Sequence, residues 1–216
     1  FAICGIGGLG KTQLALRFAF ESLSTFRAIL LAHADSETKL AQSFADYALE
    51  LGLINEIGSD LKVPREALKR WFETTDDSWL LILDGADSLN LLEDYWPAGN
   101  TGAILLTTRT KSAIGALTSG GVNLEPLESS EAVDLVVRLT SLATKHMDTE
   151  VLEKVVARLD CLPLAITAVA NVICNNSFTA SEYLLAYDNE ELSAGAASDN
   201  ILRPTSRYQH TLATVW

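Results

Sequence analysis

Cysteine is scarce in this 216-residue sequence. The three present, Cys4, Cys161 and Cys174, are far apart, odd in number and without metal-ligand spacing. That excludes a disulfide framework and points to a reducing compartment, with a cytoplasmic location as the expectation. Histidine is as sparse, and His33, His146 and His210 form no ligand set, so structural or exposed roles are expected for all three. Basic side chains are in deficit: 16 Lys and Arg stand against 28 Asp and Glu, a formal charge of −12. Such a field repels phosphate backbones and anionic lipid, so neither nucleic acid nor a membrane surface is an expected partner. Long apolar runs are missing too. The longest, Leu162 to Val172, is interrupted by Thr167 and Asn171 and is too short to span a bilayer. No cationic signal-peptide region is seen. The chain opens on Phe1, inside a strand-like run, so it is expected to be a piece of a longer protein.

What is present fits an ordinary globular protein: 48% hydrophobic and 20% charged residues. The length suffices for one sizeable core, or for a core with a small satellite domain. Phe1–Cys4 is a short apolar run ending at a glycine cluster, and Lys11 to Glu21 then carries Leu14, Ala15, Leu16, Phe18 and Ala19 at helical spacing. Arg27 to Ala32 predicts a second strand. Lys39 to Leu51 predicts a helix with Leu40, Phe44, Tyr47, Ala48 and Leu51 on one side. Pro64 suits the first turn of a helix running to about Phe72. Trp79–Leu83 and Ala103–Leu106 are continuous apolar runs, as expected of strands buried on both faces of a parallel sheet, and Val122–Leu124 is a candidate edge strand. Strands alternating with helices predict a doubly wound, mainly parallel α/β sheet over residues 1–126.

From Ser129 onward the pattern is helical. Apolar residues recur from Ala132 to Leu139, from Val151 to Leu159, from Leu162 to Cys174 and from about Ala180 to Tyr187. Ser129 or Ser130 is expected to cap the first of these helices and Asp148 the second. The expected second domain is therefore a small all-α domain over 127–192, with 193–216 a linker and the start of a truncated further element.

With a repulsive mean charge, an anionic ligand has to be held locally, and one segment is built for that. Gly5-Ile-Gly-Gly-Leu-Gly10-Lys11-Thr12 fits the Walker A pattern between a strand and a helix. Its glycines let backbone N–H groups face a phosphate, the helix N-terminus adds positive potential, Lys11 reaches the β- and γ-phosphates, and Thr12 coordinates Mg²⁺. A glycine-rich connector would have no use for Lys-Thr in that register. Such a loop needs a carboxylate from the end of a neighbouring buried strand, and Trp79-Leu-Leu-Ile-Leu-Asp84 supplies one. Ala103-Ile-Leu-Leu-Thr107-Thr108-Arg109 delivers two hydroxyls and a guanidinium to the sheet edge where open α/β sheets bind ligands. From spacing alone, Arg109 is equally a phosphate reader and a solvated loop arginine.

Taken in order, Gly5-Ile-Gly-Gly-Leu-Gly-Lys-Thr-Gln-Leu-Ala15, Leu80–Asp84, Leu105–Arg109 and Leu162-Pro-Leu-Ala165 resemble the NB-ARC family of STAND-class NTPases, the switch modules of NOD-like receptors. Tyr208–Trp216 looks like the run into the winged-helix domain of fungal members. The resemblance implies adenine nucleotide, ATP or ADP, held by Gly5, Gly7, Gly8, Leu9, Gly10, Lys11, Thr12 and Gln13. It further implies Mg²⁺ at Thr12 and Asp84, Arg109 as the sensor arginine and Pro163 packed near the nucleotide. It implies a winged-helix domain and sensor repeats outside this segment, and a homo-oligomeric active form. Where hydrolysing relatives carry a second acidic residue, this sequence has Gly85, so weak hydrolysis is expected and no catalytic base is assigned. Replacing Gly85 with Asp is expected to raise turnover without tightening binding, provided the strand end points the carboxylate toward the γ-phosphate. Asp87 is read either as a helix cap or turn residue or as an alternative base; a base from Asp87, or from a domain outside this segment, would make the chain an actively turning-over ATPase instead.

Overall fold

The computed structural model describes residues 1–140, 148–176 and 178–193. His146, His210, the 194–200 part of the expected linker and the winged-helix-like run at 208–216 lie outside the described residues. Two compact units are resolved, the first comprising Phe1–Ile6 with Lys11–Leu124 and the second Gly7–Gly10 with the chain from Glu125 onward.

In the first unit, strands β1 (Ala2–Cys4), β2 (Ala28–His33), β3 (Trp79–Asp84), β4 (Gly102–Thr108) and β5 (Gly121–Asn123) form one sheet in the order β2-β3-β4-β1-β5. Every pairing is parallel. The connecting helices are α1 (Lys11–Glu21), α2 (Glu37–Glu50), α3 (Lys62–Thr74), and the short α4 (Leu89–Leu92) and α5 (Ala113–Ala116). Side chains alternate across β3, as the two-residue period of a strand requires. Trp79, Leu81 and Leu83 enter a core with Phe44, Leu68 and Phe72 from α2 and α3. Leu80 and Ile82 enter a smaller one against Ala15 and Ala19 of α1. Both faces are thus covered, which is why β3 reads as an uninterrupted apolar run.

Two details fix the sheet's margins. Along the outer strand β2, the Tyr47 hydroxyl of α2 accepts from the Leu31 N–H at 2.9 Å and donates to the Leu31 carbonyl at 3.0 Å. Ser43 Oγ takes the His33 N–H two residues on. At the amino end of the sheet the Trp79 indole donates to the Phe72 carbonyl at 3.2 Å. A Cβ added to Gly102 would fall 2.0 Å from that indole, so only glycine lets β4 pass.

The second unit contains α6 (Ser129–Thr140), α7 (Thr149–Arg158), α8 (Pro163–Asn176) and α9 (Ala180–Ser193). Asp148 caps α7 by accepting from the Glu150 N–H at 3.0 Å. At α6 the expectation is corrected: Ser129 and Ser130 are its first two helical residues, and the Glu131 carboxylate reaches back to the Glu128 N–H at 3.1 Å, half of a capping box. Helix α9 also outruns Tyr187, where the apolar period stops. Among the described residues no helix is long and apolar enough to cross a membrane.

Candidate functional site

The loop Gly5–Gly10 leaves β1 and delivers the chain into α1. Gly8 and Gly10 take φ of +80° and +88°, the left-handed region that side chains disfavour. At Gly10 a Cβ would meet nothing, so conformation and not space demands the glycine. Lys11 folds its ammonium against the start of the loop, donating to the carbonyls of Gly5 at 2.8 Å and Ile6 at 2.7 Å. Burial lowers the pKa of this ammonium, the Arg109 guanidinium pushes the same way, and Asp87 and Asp84 oppose them. The four charged groups therefore share one electrostatic neighbourhood.

Thr12, one residue into α1, donates its hydroxyl to Asp84 Oδ1 at 2.7 Å. The sequence separates these residues widely; the sheet order brings the end of β3 to the start of α1. Thr107 donates to the same oxygen at 2.6 Å. A hydroxyl and a carboxylate in direct contact suit a hard cation, for which oxygen is the preferred ligand. Among the described residues no group of three or more His, Cys, Asp or Glu could hold a metal by itself. An ion at Thr12 and Asp84 would complete its shell from a phosphate ligand and water, the usual manner for Mg²⁺.

Gly85 follows with φ +74°, and a Cβ built on it lies 3.3 Å from Asp35 Cβ. This weighs against the expectation that an aspartate at position 85 raises turnover. Its side chain would leave the backbone in a strained region and start out against another carboxylate residue, not against Lys11. Asp35, just past β2, binds Lys39 at 2.5 Å, and that hydrogen bond together with the Lys39 charge holds its pKa low despite partial burial. Sequence reading missed Asp35, although its place just beyond a strand's carboxyl end was the available signal.

Asp87 is committed to the end of β4. Its Oδ1 accepts the Arg109 N–H at 2.6 Å and the Thr108 hydroxyl at 3.2 Å, while its carbonyl accepts from the Thr110 hydroxyl at 3.0 Å. The Arg109 guanidinium lies 3.5 Å from Asp87 Oδ2, with 58% of its side chain exposed. Asp87 thus orients Arg109 and the turn behind it. Gln13 is exposed on α1, and Leu9 is buried.

Within the second unit, Pro163 opens α8, and the next residue, Leu164, donates its N–H to the Gly8 carbonyl at 3.1 Å. The turn before it holds Asp160 and Cys161 at φ +49° and +52°, left-handed values without glycine.

No family model matches the chain. It is similar to a nucleotide-binding leucine-rich repeat (NLR)-like protein of Hyaloscypha variabilis, 30% identical over 213 residues, covering 89% of this chain and 21% of that protein. A putative disease resistance protein of Arabidopsis thaliana is 26% identical over 192 residues, covering 82% of this chain and 22% of its own length. The chain therefore spans about a fifth of the curated relatives it matches. Among solved structures, the Walker-type ATPase PABY2304 of Pyrococcus abyssi superposes with a TM-score of 0.53 at 15% identity, over 90% of this chain and 71% of that one. At that identity the likeness is one of fold.

Proposed function

We propose that this chain, a P-loop NTPase of the NB-ARC, STAND-class family, is the ATP- and ADP-binding switch module of a NOD-like signalling receptor. In this reading Gly5, Gly7, Gly8, Leu9, Gly10, Lys11 and Gln13 surround the phosphates, Arg109 reads their terminus and Pro163 packs near the nucleotide. Thr12 and Asp84 hold Mg²⁺, which when bound neutralises charge on the β- and γ-phosphate oxygens. ADP favours a closed form and ATP an open, oligomerising one, because a ligand shifts an equilibrium only by its differential affinity for two states. The winged-helix and sensor domains and the homo-oligomer belong to the longer receptor, a cytoplasmic one, and nucleic acid and membrane are not partners at a charge of −12.

The observation that carries the reading is the Thr12–Asp84 contact at 2.7 Å beside a lysine-bearing glycine loop. Hydrolysis is slow in this scheme. Position 85 has no side chain, and Asp87 Oδ1 already accepts the Arg109 N–H and the Thr108 hydroxyl while Oδ2 faces the Arg109 guanidinium, which favours a positioning role for Asp87 over that of a base. The alternative, an actively turning-over P-loop ATPase, is separated by a steady-state assay. Turnover slower than roughly one per minute is expected, against about 1 to 1000 per second for common enzymes. A rate near ten per second, lost in Asp87→Ala, would replace the switch with the ATPase.

A further inference from the structure

Thr107 is only 2% exposed and sits at the carboxyl end of β4, beside the last residues of β3. Its hydroxyl has one proton and gives it to Asp84 Oδ1 at 2.6 Å. The Thr107 hydroxyl oxygen itself accepts the Gly85 N–H at 2.9 Å, which fixes the direction in which its proton points. The Thr107 carbonyl takes the next donor along, the Ala86 N–H, at 2.8 Å. One residue of β4 therefore anchors the Asp84 carboxylate and the two peptide units by which the chain turns out of β3. The left-handed turn at Gly85 and the orientation of Asp84 are set by the same side chain.

We propose that Thr107 is the positioning residue of the cation site, holding the Asp84 carboxylate against the Thr12 hydroxyl so that both oxygens are already in place when Mg²⁺·nucleotide arrives. The proposal rests on the reading of Thr12 and Asp84 as the magnesium-holding pair. Two donors, Thr12 and Thr107, converge on Oδ1. Among the described residues no hydrogen bond reaches Oδ2, so that oxygen has acceptor capacity left for a ligand. Without the Thr107 hydroxyl the carboxylate keeps one anchor and regains rotation about its terminal bond, and the Gly85 N–H loses its acceptor in a part-buried setting.

The test is the metal-dependent share of nucleotide binding: ADP affinity by calorimetry in Mg²⁺ and again in EDTA, with thermal unfolding followed in EDTA. Thr107→Val preserves shape and deletes the hydroxyl. It is expected to shrink the gain in affinity given by Mg²⁺ about tenfold, with affinity in EDTA held within about twofold. Thr107→Ser, which restores the hydroxyl, should return the gain to within about twofold. If Thr107→Val does not fold, Thr107→Cys replaces it, since a thiol is a weak donor of similar size. Equal losses with and without Mg²⁺, tracking a lowered melting temperature, would overturn the proposal in favour of a packing role, as would failure of serine to rescue. An intact Mg²⁺ gain in Thr107→Val beside a lost gain in Asp84→Ala would overturn the positioning role alone. An intact gain in both would overturn the reading of the pair itself.

Discussion

At its amino end β3 presents Trp79 to Phe72, with ring centroids 4.5 Å apart, and the indole lies where β4 can offer nothing larger than Gly102. At its carboxyl end the same strand presents Asp84 to the hydroxyls of Thr12 and Thr107 and then turns left-handed at Gly85. The first end is fixed mainly by volume, with one buried hydrogen bond from the Trp79 indole to the Phe72 carbonyl. The second is fixed by directional bonds among charged and hydroxyl groups, the kind of arrangement a ligand can join. The contrast separates the residues that hold the sheet together from those that make it useful, although the two sets share one six-residue strand.

The comparison breaks most severely at the packed end. Gly102→Ala places a methyl inside the indole's volume and should lower stability by about 3 kcal/mol or more in urea unfolding, while the folded fraction keeps its ADP affinity. The opposite result belongs to Lys11→Ala, where ATP and ADP affinity by calorimetry should fall roughly a hundredfold or more with unfolding little changed. The same lysine gives a pH signature. Burial lowers its pKa, so as pH rises the ammonium is lost earlier than on an ordinary lysine, and nucleotide affinity should decline on the alkaline side before other lysines titrate. Affinity flat to the ordinary lysine range would remove Lys11 from the phosphate site.

Gly85→Asp tests whether the turn after β3 is conformational or chemical. About 1–2 kcal/mol of stability should be lost to the left-handed backbone and the nearby Asp35, with no rise in ATP turnover by a phosphate-release assay. A faster enzyme would show that the turn can relax. The smallest effect is expected at Cys161, left-handed like Gly85 but without glycine. Cys161→Gly should relieve about 1 kcal/mol of strain, visible as a modest rise in melting temperature. An unchanged or lower melting temperature would mean that the thiol's contacts offset the backbone.

The sheet was legible in the sequence because strands buried on both faces leave unbroken apolar runs, as at Trp79–Leu83, and because glycines mark the turn into α1. The Walker A segment and Asp84 could be paired by motif, and the structure puts Thr12 and Asp84 in contact. Helix α4, four residues long, was missed because so short a segment cannot display a 3.6-residue period, and the α5 segment is not helical throughout, since Ile114 and Gly115 (φ +91°) depart from helical backbone. The network around Asp84 was only partly readable. Thr107 and Thr108 were placed at the right edge, but their partners, Asp84 and Asp87, depend on the register between β3 and β4. Gly85 was noted for the acid it lacks, whereas its φ of +74° is a backbone property that composition does not carry.

Tyr47 has a consequence for how copies of this chain can meet. A strand at the border of a sheet offers alternating N–H and C=O groups to any extended segment, a ready template for open-ended association. At Leu31 both groups are taken by one phenol, which acts as donor and acceptor together in the place a sixth strand would occupy. Burial raises the pKa of that phenol, so its proton stays in place across the physiological range. Along β2, growth of the sheet from molecule to molecule is closed at the middle of the strand, which leaves β5 as the sheet's other border.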